Sequence, residues 1–142
     1  MSGSLSPDDL YVAYADGASR GNPGPAAVGV VILDPAGREV YSASRRLGRA
    51  TNNEAEYKAA ITALEAALGL RASRVELRMD SELVVRQLSG RYRVRNPRLI
   101  PLYKRLLDLR GRFAAVTFRH VPRGENRPAD RLANKALDEE SL

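Results

Sequence analysis

The spacing of apolar side chains changes period once, near residue 50, and that change limits the folds open to this chain. Before it, apolar residues alternate or run together: Leu10 to Asp16 (LYVAYAD), Ala27 to Leu33 (AVGVVIL), and Glu39 to about Arg46. These segments read as three strands joined by short connections, which makes an antiparallel meander. The first connection, SRGNPGP, is dense in Gly and Pro, and the second is the turn Asp34-Pro-Ala-Gly37. From Thr51 the period becomes helical. Thr51-Asn-Asn-Glu54 matches a capping box, and Ala, Leu and Ile recur at helical spacing to Leu68, before Gly69. Val75, Leu77 and Met79 then alternate with charged residues as a fourth strand. Ser81 to Leu88 reads as a short helix closed by Gly90, and Asn96-Pro97 starts another helical stretch. Pro101 predicts a break at Ile100 and a main helix from Pro101 to about Arg110. Ala114 to Val121 is the last strand, and Arg127 to about Glu139 the last helix. Strands separated by helices favour parallel, right-handed crossovers. The expectation is an α/β fold with a mixed five-stranded sheet, three antiparallel strands and then two parallel ones, flanked by helices.

At 142 residues the chain fits one domain. We expect that domain over residues 10–142, after a disordered or extended tail over residues 1–9. With no Cys and one His, disulfides, thiolate nucleophiles and Cys- or His-based metal cages are excluded. No apolar run is long enough to span a membrane and no secretory signal is visible, so a cytoplasmic chain is expected. Lys and Arg number 23 against 17 acids, a net charge of +6, and only Lys58, Lys104 and Lys135 among the cations are Lys. Between Leu83 and Leu107 there is no acid, but there are seven cations: Arg86, Arg91, Arg93, Arg95, Arg98, Lys104 and Arg105, with Tyr92 and Tyr103 among them. Such a stretch is either a solvated basic face or a surface that tracks phosphates.

Four acids stand out by position. Asp16 ends the first strand and Asp80 the fourth, so parallel neighbours would bring both to the carboxyl edge, where α/β sheets carry their sites. Glu56 shares a helix face with Ala60, Ala63 and Ala67 and therefore points toward the sheet. Asp130 lies in the first turn of the last helix. Taken singly, each has a simpler reading: an Asp-Gly turn, a helix cap, or a favourable charge at a helix N-terminus. Together they would repel one another and either take up protons or bind a cation. Hard oxygen donors select Mg²⁺, with Mn²⁺ as a substitute. A pair of such ions about 3.5–4 Å apart can clamp a phosphodiester.

The segments YADGASRGNPGPAAVG, TNNEAEYKA, MDSELVVRQL, VRNPRLIPLY and HVPRGENRPADRLAN, in that order, resemble the type 1 ribonuclease H family over about Leu10 to Leu137. The resemblance implies a ribonuclease H-like fold and hydrolysis of the RNA strand of an RNA/DNA hybrid, leaving 3′-hydroxyl and 5′-phosphate ends. It places a catalytic quartet with two Mg²⁺ at Asp16, Glu56, Asp80 and Asp130, with Glu54 excluded. It assigns His120 to a mobile loop that aids proton transfer or product release, and Asn126 to a position near the metals. It puts Gly17, Ser19, Asn22 and Asn52 along the RNA strand, and Arg49, Thr51 and Asn96 in a pocket for a DNA phosphate. Read without the family, Asn22 and Asn52 are turn and cap residues, Thr51 and Asn96 are helix N-caps, and His120 is a structural His at a strand end.

Two departures from the family pattern matter. Only eight residues separate Gln87 from Asn96, so the basic protrusion of many bacterial members is absent. The segment GRYRVRNPR, through Arg91, Arg93 and Arg95, is expected to replace it in part. Glu82 stands where the family often has Gln, and there is no Trp to pack on a DNA sugar. A monomer without an obligate protein partner is expected. Two alternatives stay open: a catalytically silent hybrid-binding module of this fold, and a nuclease that also cleaves double-stranded RNA.

Overall fold

The computed structural model describes residues 9–140, so nearly all of the expected N-terminal tail lies outside the described residues. Five strands form one sheet: β1 (Leu10–Ser19), β2 (Gly24–Leu33), β3 (Glu39–Ala50), β4 (Arg74–Met79) and β5 (Ala115–His120). Their order is β3-β2-β1-β4-β5. The first three pair antiparallel, and β4 and β5 join as parallel strands. Four helices complete the fold: α1 (Asn52–Gly69), α2 (Glu82–Leu88), α3 (Ile100–Arg110) and α4 (Arg127–Glu140), the last preceded by a 3-10 turn over Arg123–Asn126. Among the described residues no helix is long and apolar enough to cross a membrane. The expected mixed sheet is present.

The differences are local. β1 runs three residues past Asp16, because its ladder with β2 continues through Ser19↔Ala26. The Gly-Pro connection thereby shrinks to a tight loop. No helical stretch begins at Asn96. Its carbonyl accepts from both Leu99 and Ile100, and its side chain accepts from the Arg98 N–H, which closes a turn. Helix α3 starts one residue before Pro101, which takes the first-turn position where the missing N–H costs nothing.

The continuous apolar run of β2 reflects burial on both faces. Val28, Val30 and Ile32 belong to the main core, with Tyr57, Leu64, Leu77, Met79, Leu106 and Leu109 from α1, β4 and α3. The other face is built from small residues. Ala27 meets Ala136 and Leu137 of α4, and Gly29 faces the α4 backbone. A β-carbon at Gly29 would lie 2.0 Å from the Ala129 carbonyl oxygen and 2.7 Å from the Ala133 nitrogen. Ala129 and Ala133 are themselves fully buried, so α4 sits as close to the sheet as backbone allows. Because Gly29 is the register partner of Asp16, this close approach sets the height of α4 above that carboxylate.

Neither contact at Gly29 is a flexible side-chain end, so Gly29→Ala must displace α4. We expect a loss of about 1–3 kcal/mol in urea unfolding. An unchanged midpoint would show that α4 is free to shift.

Candidate active site

The parallel ladder between β1 and β4 stops at Tyr14↔Arg78. Beyond that pair the strands part, and β1 stays with β2 alone. Two residues further along each strand come Asp16 and Asp80, facing each other across the gap at the same register offset. Helix α1 delivers Glu56 to this gap. Its start is fixed by the capping box: Thr51 Oγ accepts from the Glu54 N–H, and Glu54 Oε1 accepts from the Thr51 N–H. A β-carbon at Gly17 would lie 2.2 Å from the Ala55 carbonyl, so only Gly lets α1 come this close. The Gly17 N–H donates to Glu56 Oε1 at 2.6 Å and aims the carboxylate.

One ligand oxygen from each of Asp16, Glu56 and Asp80 lies within 4.8 Å of the others. Asp130, in the first turn of α4, lies outside this group of three but lines the same cavity. Its own carboxylate accepts from Asn134 Nδ2 at 3.2 Å, and the Arg123 guanidinium stands 3.9 Å away. All four acids line one cavity of about 560 Å³, with Gly17, Ser19, Asn52 and Ser81 on its walls. Asp16 and Glu56 are buried. Burial, then the charges of Glu56 and Asp80, then Asp130, push the Asp16 carboxyl far above the ordinary carboxylate range. Burial also raises Glu56, opposed by the Gly17 hydrogen bond and reinforced by Asp80. Glu54, two residues earlier, shifts the other way, because the Thr51 N–H stabilises its charged form more than burial disfavours it. The two Glu of this turn thus do different work, one in the cap and one in the cavity.

Such a donor set fits a hard divalent cation. Every ligand atom is a carboxylate oxygen, and burial with the neighbouring acids raises the pKa values of Asp16 and Glu56.

The remaining candidates fall into groups. Ser19 and Asn52 line the cavity, and exposed Asn22 does not. These three are linked: the Ser19 N–H donates to Asn52 Oδ1 at 3.1 Å, and the Asn52 N–H donates to Asn22 Oδ1 at 3.0 Å. Ser19 Oγ also donates to the Ala50 carbonyl at 2.8 Å. Thr51 sits in the capping box, Arg49 reaches only the Pro23 carbonyl at 3.5 Å, and Asn96 closes its turn. Arg98, two residues on, stands 4.0 Å from Glu54 Oε1, which ties that turn to the start of α1. Asn126 is fully buried. Its Nδ2 donates to the Ala15 carbonyl at 3.0 Å, pinning the chain before α4 to the residue next to Asp16, while its Oδ1 has no partner among the described residues. Arg91, Arg93 and Arg95 are exposed in the segment after α2, outside the cavity.

His120 is placed differently from the loop position that the motif resemblance implies. It is the last residue of β5, paired in register with Met79, because the β4/β5 ladder runs to the end of both strands. It lines a separate groove beside α2 and does not line the carboxylate cavity. Sequence reading missed Gly29, whose role lies in a helix–sheet distance, and Asn134 and Arg123, which flank Asp130. Asn134 carries a detectable signal: it follows Asp130 by four residues, one helical turn.

A family model described as reverse transcriptase-like matches residues 14–136. Ribonuclease HI of Halobacterium salinarum is 50% identical over 127 residues, 89% of this chain and 64% of that protein. A bifunctional protein of Mycobacterium tuberculosis is 46% identical over 128 residues, which cover 89% of this chain and 35% of the relative. The chain therefore spans well under two thirds of the mycobacterial relative and slightly under two thirds of the halobacterial one. Among solved structures, ribonuclease H1 of Halobacterium salinarum superposes with a TM-score of 0.89 at 48% identity, covering 92% of this chain and 98% of that one. The ribonuclease H1 LC11, solved in complex with an RNA/DNA hybrid, superposes with a TM-score of 0.87 at 40% identity, covering 93% and 99%. Likeness of this extent, in sequence and in backbone together, admits one assignment: the chain belongs to the ribonuclease H family.

Proposed function

We propose that this chain is an endoribonuclease that hydrolyses the RNA strand of RNA/DNA hybrids and leaves 3′-hydroxyl and 5′-phosphate ends. The observation that carries the reading is the convergence of Asp16, Glu56 and Asp80 within 4.8 Å, with Asp130 lining the same cavity. On this reading the four carboxylates hold two Mg²⁺, or Mn²⁺ in their place. Such ions, when bound, supply Lewis-acid chemistry at a phosphodiester. The chain's own groups do the rest. The Gly17 N–H holds Glu56 in one orientation, Asn134 steadies Asp130, and Asn126 keeps β1 and the approach to α4 in fixed relation. Fixed ligands lose little entropy on reaching the productive geometry.

Selection of RNA requires a sensor for the 2′-hydroxyl. Gly17, Ser19, Asn22 and Asn52 are placed for it. The side-chain oxygens of Ser19, Asn22 and Asn52 are engaged within the protein, while the Asn22 and Asn52 amide NH₂ groups have no partner among the described residues. Arg49, Thr51 and Asn96 take a phosphate of the DNA strand, with the charge coming from Arg49. His120 acts on the departing strand, from the neighbouring groove rather than the cavity. The relative solved with a hybrid supports this substrate class. Action as a monomer in the cytoplasm belongs to the same reading.

The experiment is cleavage of an end-labelled RNA/DNA hybrid, with and without Mg²⁺, beside RNA/RNA and single-stranded RNA. Mg²⁺-dependent cutting of the hybrid is expected. Hybrid binding without cutting would identify a silent binding module, and equal cutting of RNA/RNA would remove the hybrid preference. Asp16→Asn is expected to lower kcat by about 10²–10³-fold or more, while hybrid binding persists. Wild-type turnover would refute its role.

A stability experiment reads the same site without substrate. In the cation-free protein, Asp16 and Glu56 bind protons more tightly folded than unfolded. Their contribution to stability therefore falls as pH rises above the ordinary carboxylate range of about 4. Thermal unfolding in EDTA from about pH 5 to about pH 8 is expected to show this fall. Asp16→Asn should flatten it, and so should millimolar Mg²⁺ in the wild type. Identical profiles in EDTA and Mg²⁺ would argue against a cation site.

A further inference from the structure

The carboxylate cavity has a neighbour of opposite charge. Between α2 and β5 runs a groove of about 490 Å³, lined by Glu82, Val85, Arg86, Ser89, Arg91, Phe118, Arg119 and His120. The two share a wall at the start of α2, where Ser81 lines the cavity and Glu82 the groove. They also meet at the end of the β4/β5 ladder, where His120 pairs with the residue before Asp80.

Three guanidiniums against one carboxylate leave the groove positive. Arg86 is held by Glu82 at 2.8 Å and by the Tyr92 hydroxyl at 3.0 Å. Arg119 stands 3.6 Å from Glu76, but that carboxylate already takes Arg78 at 2.6 Å, so one acid serves two cations. The Arg91 guanidinium and the His120 imidazole have no partner among the described residues. The groove also absorbs part of the acid-free, cation-rich stretch after Leu83, which the carboxylate site does not use.

We propose that this groove is a phosphodiester-binding subsite that holds the RNA strand where it leaves the carboxylate cavity. The inference rests on the hybrid-nuclease reading and adds a location for the strand beyond the cleaved bond. A strand with one phosphate among four acids gains from cationic partners for the next phosphates, and this groove supplies them next door. Arg91 and Arg119 provide planar donors for phosphate oxygens, and the His120 ring and Ser89 hydroxyl provide further hydrogen-bonding groups.

The test measures binding of an RNA/DNA hybrid to full-length protein in EDTA, where no cutting occurs, across a salt series. The variant Arg91→Ala with Arg119→Ala is compared with Arg38→Ala with Arg45→Ala, which removes the same charge from β3 and the residue before it, at the opposite edge of the sheet. The groove variant is expected to bind about 10-fold more weakly near 0.1 M salt, with the salt slope reduced by about 1.5. The β3 variant should stay near wild type. Arg91→Ala alone, which removes no contact within the protein, should give about half the slope change and serves if the double variant unfolds. A hybrid with a neutral methylphosphonate DNA strand assigns the strand. Persistence of the loss supports RNA in the groove, and its disappearance overturns that assignment. Equal Kd and slope for the groove and β3 variants would overturn the subsite. Failure of the nuclease reading would show separately, as absence of Mg²⁺-dependent cutting by the wild type.

Discussion

Mutual repulsion among carboxylates that cannot move apart is the constraint behind this architecture. Two unit charges 4 Å apart interact by about 4 kcal/mol at the effective dielectric of a protein surface. Free side chains would relax away from such a cost. Here they cannot. Asp16 is embedded in the β1/β2 ladder, Asp80 follows directly on β4, Glu56 is pinned by the Gly17 N–H, and Asp130 rides on a helix seated against a glycine. The charge must therefore be met by protons or by a cation, and the raised pKa of Asp16 is the proton answer.

Rigidity at this edge comes from absent atoms as much as from bonds. Gly17 admits α1 on one face and Gly29 admits α4 on the other. These positions flank Asp16 in the strand pair, since Asp16 is the neighbour of one and the register partner of the other. Each glycine turns a helix–sheet distance into a ligand–ligand distance. The same economy governs the rim. Thr51, Asn22, Asn52 and Asn96 spend their oxygens on caps and turns, which leaves amide nitrogens and the Arg49 guanidinium as the groups turned toward a polyanion.

The order of elements was legible in the sequence, because the change of period near residue 50 is local and each strand carries its own alternation. Asp16 and Asp80 were legible as strand-end acids, and Glu56 as an inward one, because alternation and helical spacing fix which way a side chain points. The rest depends on pairing between distant segments. Nothing within LYVAYAD shows that β1 follows β2 to Ser19. The Asn96 turn looked helical because Asn-Pro reads as a helix start, and only its two bonds from Leu99 and Ile100 show otherwise. His120 was legible as a strand-end residue from the alternation of the last strand, whereas the loop role came only from the motif resemblance. Gly29 sits in a run of valines, where a missing side chain says nothing until a helix is laid over it.

Charge sorting completes the picture. A protein of net charge +6 attracts any polyanion, but attraction alone would hold a duplex anywhere on the surface. Direction requires a contrast of sign over a short distance. The start of α2 provides it, with acids on the Ser81 side and guanidiniums on the Glu82 side. A phosphate chain meets repulsion on the first side unless cations occupy the acids, and attraction on the second whether or not they do. If the proposed cation site and subsite hold, cation binding switches a single region from holding a strand beside the acids to holding it across them. That coupling requires nothing more than the placement of two neighbouring residues on either side of one helix start.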